Sequence, residues 1–518
     1  MKQTVYIIGA GLGGLFCGAI LSKEGYHVEL FERRRKTGGG LHQFRREGVA
    51  FDTGMHLVGA FRQGAVLNRL CSWLGIMDSL KILPEDNDCF EMLYVGEDNR
   101  KYCFPRGYDA YMAYLQQEFP TERDGIARYM QTLYKICNSI KLYNLELPDS
   151  SYNPAELYRQ SAGAFIDSFT EDERLRALLA FTNPLYAGDR YHTPVYIHAL
   201  INKFLIEGAS QFIGGSKQLA DALAGVICAH GGKIHTDCGV TRIEIEQKSI
   251  AYIETADGLR RKADLYISTI HPSVMFNLLD RSKLQRSYWQ RIDSIPSTYS
   301  AFTLHIIMKP ETFPFINHAC YYLDSYASAW QHARPVDDLW PTGLMILTPP
   351  ETAEDVYATT MFITCTMTFE AVKQWENTTV GKRGTEYEAF KRRCEAAILD
   401  KLERIFPGAG RCIQSVYSAS PLTIRDYMNQ KDGSLYGVKK DCENIALSHI
   451  PVRTKLNNLL LSGQNVNLHG ILGVPLTAIH TCSELLGMNS LIEKINSITN
   501  ETQIDLSRVG ETEGANYI

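Results

Sequence analysis

The sequence predicts an α/β protein in which a Rossmann-type dinucleotide-binding domain is interrupted by an inserted mixed α+β domain. Three observations predict it. Gly9, Gly11 and Gly14 form G-x-G-x-x-G between two apolar runs, TVYII and HVELFE. A second glycine-rich section, NLLLSGQNVNLHGILGVPLTAIHTCSELLG, closes the ordered part of the chain. Between them, helical periodicity alternates with short segments of strand character.

The opening element needs the closest reading, because Val5 to Leu21 is uncharged and follows Lys2, as in a secretory leader. A leader should run into small residues at a cleavage site, whereas this stretch meets Ser22, Lys23 and Glu24, then Gly25 as a helix stop. The order is strand, tight turn, helix, strand, with Glu32 lying 18 residues beyond Gly14, near the roughly 20 expected of an acid that binds a ribose hydroxyl. Gly9 permits the turn, Gly11 lets backbone approach a pyrophosphate, and Gly14 lets the helix pack on the strand. Ala10, Leu12 and Gly13 complete that loop of amides at the positive end of a helix. The basic run Arg33 to Lys36 reads mostly as a solvated face. Gly38, Gly39 and Gly40, followed by Leu41, offer a second loop of bare amides to the same phosphates.

At 518 residues the chain exceeds one core, so two or more units are expected. A hydrophobic fraction of 45% is ordinary for a globular protein, and a net charge of -5 gives no reason to expect nucleic-acid binding. Thirteen cysteines without a C-x-x-C pair argue against a disulfide framework and against a thiolate zinc site. No metal is expected. A reducing, cytoplasmic setting follows, with peripheral attachment at the inner face of a membrane compatible with it, since no further apolar run is long enough to span a bilayer.

Further along, residues 74 to 200 read as mostly helical, with FPRGYDAYMAYLQQEFP and ERDGIARYMQTLYKICNSI showing apolar positions three and four apart. IGGSKQLADALAGVICAHGG reads as a helix between glycine turns. KIHTD, VTRIEIEQ, SIAYIETA and LRRKADLYIST read as a strand-rich meander, with Asp257-Gly258 marking a hairpin. AFTLHIIM and TTMFITCTM are strands, and a charged helix runs from about Glu386 to Arg404. FPFINHACYYLDSYASAW reads as a buried core strand in preference to an exposed apolar mouth. Near the end, LLLSG is a strand and Pro475 is expected to open a helix that stops at Gly487, aiming its N-terminus past Gly473 and Val474. The expected division is 1–75, 208–280 and 441–496 for the nucleotide domain, 76–207 and 281–440 for a substrate domain, and 497–518 for a polar tail.

Taken together, IIGAGLGG with Glu32, TGGG, FDTGMHLVG, FPRGYDAYMAYLQQEFP, GGSKQLADAL with GGKIHTDCGVTRI, and GQNVNLHGILGVPLTA resemble the FAD-dependent family of phytoene desaturases, carotenoid isomerases and retinol saturases. The resemblance covers most of the chain and implies the glutathione-reductase-like architecture of amine oxidases and phytoene desaturases, with FAD as cofactor. It implies pyrophosphate contacts from Gly9, Gly11 and Gly14, an adenosine ribose on Glu32, and adenine beside Val240. Gly463 and Gln464 would contact the ribityl and phosphate portion, and Gly473 and Val474 the ring. FDTGMH is most similar to the retinol-saturase branch. Where many relatives place Arg after the paired glycines this chain has Gly40, so amides, helix dipole or Arg33 must neutralise the pyrophosphate.

His42, His56 and His469 flank these motifs, and His56, beside FDTG, is the candidate catalytic residue. The resemblance implies reduction or dehydrogenation of carbon-carbon bonds in a polyene, isoprenoid or other hydrophobic lipid. With one G-x-G-x-x-G only, a second built-in nicotinamide domain is not evident, and electrons would come from a transient donor such as NAD(P)H or move between substrate and quinone. Two rivals are an FAD-dependent amine oxidase of the same fold and a flavin-free prenyl-lipid carrier. Glu32 and the GQN…GILGVP loop argue against the carrier.

Overall fold

The computed structural model describes residues 3–54, 56–147, 159–332 and 334–497. The polar tail, beyond its first residue, and Met55 of the FDTGMH motif therefore lie outside the described residues.

The nucleotide half is built on a five-stranded parallel sheet in the order Leu459–Leu461, Leu265–Ser268, Thr4–Ile8, His27–Phe31, Lys233–His235. Its apolar runs suit strands covered on both faces. The uncharged opening stretch is buried here: the helix Leu12–Lys23 hides Leu15, Phe16, Ile20 and Leu21 completely. On its other side it packs against the helix Lys217–Ala229, with no room for a side chain at Gly18, where a Cβ would lie 2.8 Å from Ile227 Cδ1.

Val240–Glu246, Ser249–Thr255 and Arg260–Arg261 form a small antiparallel sheet. The Asp257-Gly258 hairpin is present, and Asp257 Oδ1 accepts hydrogen bonds from Leu259 N–H at 3.1 Å and Thr255 Oγ1 at 2.5 Å. The outer segments of the expected meander, KIHTD and LYIS, leave it for the parallel sheet.

The second half centres on a seven-stranded sheet in the order Ile413–Ala419, Ser300–Met308, Thr360–Met367, Gly343–Leu347, Ala319–Leu323, Glu91–Val95, Arg100–Phe104. Alternation divides its two faces. Phe302, Leu304, Ile306, Met361 and Ile363 pack on Phe390 and Ile398 of the helix Thr385–Ile405, while Tyr321 and Phe362 join the core shared with the nucleotide half. FPFINHACYYLDSYASAW supplies the fully buried strand Ala319–Leu323, as the core reading expected.

Three expectations need correction. Residues 74 to 200 contain a hairpin, Glu91–Val95 with Arg100–Phe104, that their helical reading overlooks. Five-residue strands joined by a charged turn give little alternation to read, and their partner strand lies far along the chain. Helices Tyr108–Glu118, Arg123–Ser139 and Val195–Ile206 do form. The cysteines include one bridge, Cys89–Cys103, with Cα atoms 5.2 Å apart across that hairpin; the other eleven are free. The last helix spans Gly470–Leu486, so Pro475 lies inside it and does not open it. The hydroxyl of Thr477 bonds the Gly473 carbonyl at 2.8 Å in this stretch where the proline has no N–H to give. Among the described residues no helix is long and apolar enough to cross a membrane, and no group of His, Cys, Asp and Glu could hold a metal ion.

Candidate flavin site

The glycine turn is a compact, closely packed loop of backbone. Gly9 (φ +98°) bonds the Phe31 carbonyl through its N–H at 2.9 Å, and a Cβ on Gly14 would lie 2.0 Å from the Gly9 carbonyl oxygen. Gly11 caps the first helix with no side-chain partner, leaving its first-turn amides to whatever anion lies in front. Glu32 ends the adjacent strand at this turn. Its Oε2 accepts a hydrogen bond from Ala10 N–H and its Oε1 one from Arg34 N–H, both at 2.9 Å.

The second glycine loop docks on the first. Gly38 N–H donates to the Ala10 carbonyl at 2.8 Å, and a Cβ on Gly39 would lie 3.1 Å from Gly11 Cα. Leu41 is buried beneath, and Gly40 faces the Met428 methyl. Arg33 and Arg34 both reach the Asp426 carbonyl, at 3.3 and 2.5 Å. Burial, then the neighbouring Arg34 charge, draws the Arg33 guanidinium below its ordinary value. Val240 stands on the same flank: Cys238 N–H bonds the Glu32 carbonyl at 2.9 Å, and Gly239 abuts Arg33.

The carboxy-terminal motif meets this turn directly. Gly463 follows the strand Leu459–Leu461, and a Cβ on Gly13 would lie 3.1 Å from Gly463 Cα and 3.3 Å from Val474 Cγ1. Gln464 is half-buried beside it, and Gly473 presses on Leu468, where a Cβ would fall 2.4 Å from that side chain. His469 precedes the last helix, with its ring 4.8 Å from that of Tyr436 and its Nε2 buried without a partner. Burial, then the Lys440 charge, lowers its pKa to about 3.

The FDTG turn bridges to the broad sheet. Thr53 Oγ1 donates to the Gly40 and His42 carbonyls at 3.3 and 3.0 Å. Asp52 accepts a hydrogen bond at 3.0 Å from Ser216 N–H, which leads into the helix Lys217–Ala229, and burial pushes its pKa up to about 6. His56 stacks on Phe362 at 3.7 Å, with both ring nitrogens buried and unpartnered, and burial with His305 nearby lowers its pKa to about 3. His305 itself, ringed by Phe44, Phe51 and Phe362, is lowered to about 4 by burial and the Arg46 charge. His42 is lowered too, chiefly by burial.

Several groups here have no signal in the sequence. Lys440 donates to the carbonyls of Asn465 and Val466 at 3.2 and 3.3 Å. Glu91, 2% exposed, meets Tyr321 OH at 3.3 Å, and burial raises its pKa to about 8; Glu85, also buried, has no partner for either oxygen. Only the parallel pairing of their strands brings Glu91 and Tyr321 together.

The residues fit a flavin adenine dinucleotide. Two glycine loops meet at the positive end of the first helix, Glu32 closes the same turn through the Ala10 amide, and the Gly463 loop runs from that turn to the start of a buried helix.

The family model for flavin containing amine oxidoreductases matches residues 12–335. All-trans-retinol 13,14-reductase of Rattus norvegicus is 25% identical over 94% of this chain and 86% of its own. Prolycopene isomerase 2, chloroplastic, of an Oncidium hybrid cultivar is 24% identical over 84% of this chain and 75% of its own. Among solved structures, an oxidoreductase from Methanosarcina mazei superposes with a TM-score of 0.63 at 20% identity, covering 92% of this chain and 99% of that one. With two glycine loops, Glu32 and the Gly463 loop assembled on one parallel sheet, the chain belongs to the family of flavin containing amine oxidoreductases.

Proposed function

We propose that this chain reduces or dehydrogenates a carbon-carbon bond of an isoprenoid, retinoid or carotenoid-like lipid, with saturation preferred over desaturation. The observation that supports it most is the wall formed by His56 on Phe362. Its imidazole is neutral at physiological pH, its nitrogens are shielded, and its neighbours are aromatic. Such a wall suits an uncharged apolar chain better than an ammonium ion, which would lose hydration without gaining a carboxylate. The polyene substrates in the names of the retinol reductase and the isomerase point the same way.

In this reading bound FAD supplies the hydride chemistry. Glu32 holds the adenosine ribose, and Gly9, Ala10, Gly11, Leu12, Gly13 and Gly14 bind the pyrophosphate with Gly39, Gly40 and Leu41. Val240 lies against adenine, Gly463 and Gln464 against the ribityl chain, and Gly473 and Val474 against the ring. His56 positions the substrate by packing as a neutral ring; an imidazole with a pKa near 3 is not a general acid at neutral pH. NAD(P)H serves as a transient donor. Apolar substrate gains little on leaving lipid, which is as apolar as the protein wall, so the enzyme works at a membrane surface, on its cytoplasmic side.

Anaerobic mixing tests this. Chemically reduced holoprotein should be reoxidised by a polyene such as retinol or a carotenoid precursor, and oxidised holoprotein should be untouched by simple amines. Bleaching by an amine with no response to any polyene would replace the lipid reading by the amine-oxidase one.

A further inference from the structure

Lys440 is half-buried, and desolvation lowers the pKa of its ammonium to about 8. Its Nζ donates to two main-chain carbonyls, Asn465 at 3.2 Å and Val466 at 3.3 Å, and among the described residues no carboxylate lies within ion-pair reach of it. Asn465 and Val466 are themselves 3% and 2% exposed. The titratable groups whose protonation Lys440 disfavours are His469 and His449, both of which would add to the same positive charge. Carbonyl dipoles satisfy two of the three N–H groups but cancel no charge. A desolvated cation of this kind is costly unless paired.

Its position says what the partner is. The loop that Lys440 grips begins at Gly463, which touches Gly13 of the glycine turn, and ends at His469, which leads into the helix Gly470–Leu486. One end of the loop belongs to the pyrophosphate site; Lys440 holds the stretch between that site and the helix N-terminus. Two positive features thus lie near one another, the ammonium acting on His469 and the end of the helix that His469 precedes.

We propose that Lys440 is the counter-charge of the flavin ring in its reduced, anionic form, binding that form more tightly than the neutral oxidised ring and so raising the reduction potential of the bound cofactor. The proposal rests on FAD being the cofactor and names one further residue that tunes it. Lys440 is poorly hydrated where it lies, so the interaction with a developing negative charge is screened little. A lysine at the pyrophosphate would instead bind both redox states alike and leave the potential unchanged.

The test uses sulfite, whose adduct with oxidised flavin places negative charge on the same ring, together with the midpoint potential of holoprotein. Wild type should bind sulfite; Lys440→Met should weaken sulfite binding at least tenfold and lower the potential by at least about 30 mV, the equivalent of a tenfold loss for a two-electron couple. Lys440→Arg should stay within about threefold of wild type, which a merely packing role would not predict for the larger fork. If Lys440→Met does not retain FAD when isolated, the same two measurements are made on Lys440→Gln with FAD in excess. Unchanged sulfite affinity and potential in a flavin-loaded neutral variant overturn the proposal while leaving FAD as cofactor. A wild-type protein that neither contains nor takes up FAD overturns both.

Discussion

Gly13 and Gly463 touch backbone to backbone: a Cβ on the first would lie 3.1 Å from the Cα and 3.4 Å from the amide nitrogen of the second. The contact joins the first glycine turn to the loop that leads into the last helix. Gly463 is held there by a left-handed backbone (φ +91°) under the Thr269 carbonyl. The two ends of the chain therefore build one site, and its geometry depends on neither glycine having a side chain.

Gly13→Ala should fold and retain less FAD than wild type, because Gly463 must give way by a few tenths of an ångström. Gly13→Val, which also meets Val474 Cγ1, should cost about 1–3 kcal/mol by overpacking and abolish FAD retention. FAD released per chain, with Tm as the stability control, reads both. Full flavin content in Gly13→Val would show that the Gly463 loop does not close on the glycine turn in the holoprotein.

Glu91 gives a pH-dependent stability. Its carboxyl is buried on the interior strand Glu91–Val95, between Ala319–Leu323 and Arg100–Phe104, with Tyr321 as its hydrogen-bond partner, and burial raises its pKa from 4.5 to about 8. A folded pKa above the unfolded one means that the native state binds the proton more tightly. Stability is then greatest below about pH 4.5 and declines as pH rises toward 8. Glu91→Gln keeps shape and removes the charge, so its Tm should match wild type near pH 5 and exceed it at pH 8 to 9. Parallel Tm curves for the two proteins across that range would refute the assignment.

Local motifs were legible in the sequence; juxtapositions across the broad sheet were not. Gly9 to Glu32 could be placed because strand, turn, helix and strand are contiguous, and their function depends on spacing alone. Gly39 and Gly40 followed from the same locality. FDTG was visible as a motif, but Asp52 proves to hold the amide of Ser216, 164 positions away, a long-range partner that no local pattern encodes. Tyr321 and Glu91 meet across 230 positions because two strands pair in parallel, and that register is written in packing and not in either segment. Lys440 was silent for a related reason. Lysine among polar residues reads as solvated, and only the Asn465–Val466 carbonyls beside it reveal its desolvation. At the last helix, Pro475 invited a start that the preceding Gly470 to Val474 in fact makes earlier.

His56 offers the sharpest separation of positioning from proton chemistry. Its pKa is lowered from 6.5 to about 3, chiefly by burial, so the native state favours the neutral ring while the unfolded state takes up a proton below pH 6.5. Stability from this residue is present above 6.5 and is lost as pH falls, by roughly 1.4 kcal/mol per pH unit until the folded pKa is reached. His56→Phe keeps an aromatic ring against Phe362 and cannot titrate, so its stability relative to wild type should rise between pH 7 and pH 5. Because the ring is neutral throughout the working range, wild-type kcat/KM should show no inflection between pH 6 and 8 that His56→Gln removes. If the imidazole positions substrate, His56→Phe should retain FAD and its visible spectrum yet lose at least about tenfold in kcat/KM for a polyene, on the order of 1.4 kcal/mol of transition-state stabilisation. Unchanged kcat/KM in a stable, flavin-loaded His56→Phe would show that the imidazole does not position substrate, and a pH inflection lost with His56→Gln would restore it as an acid.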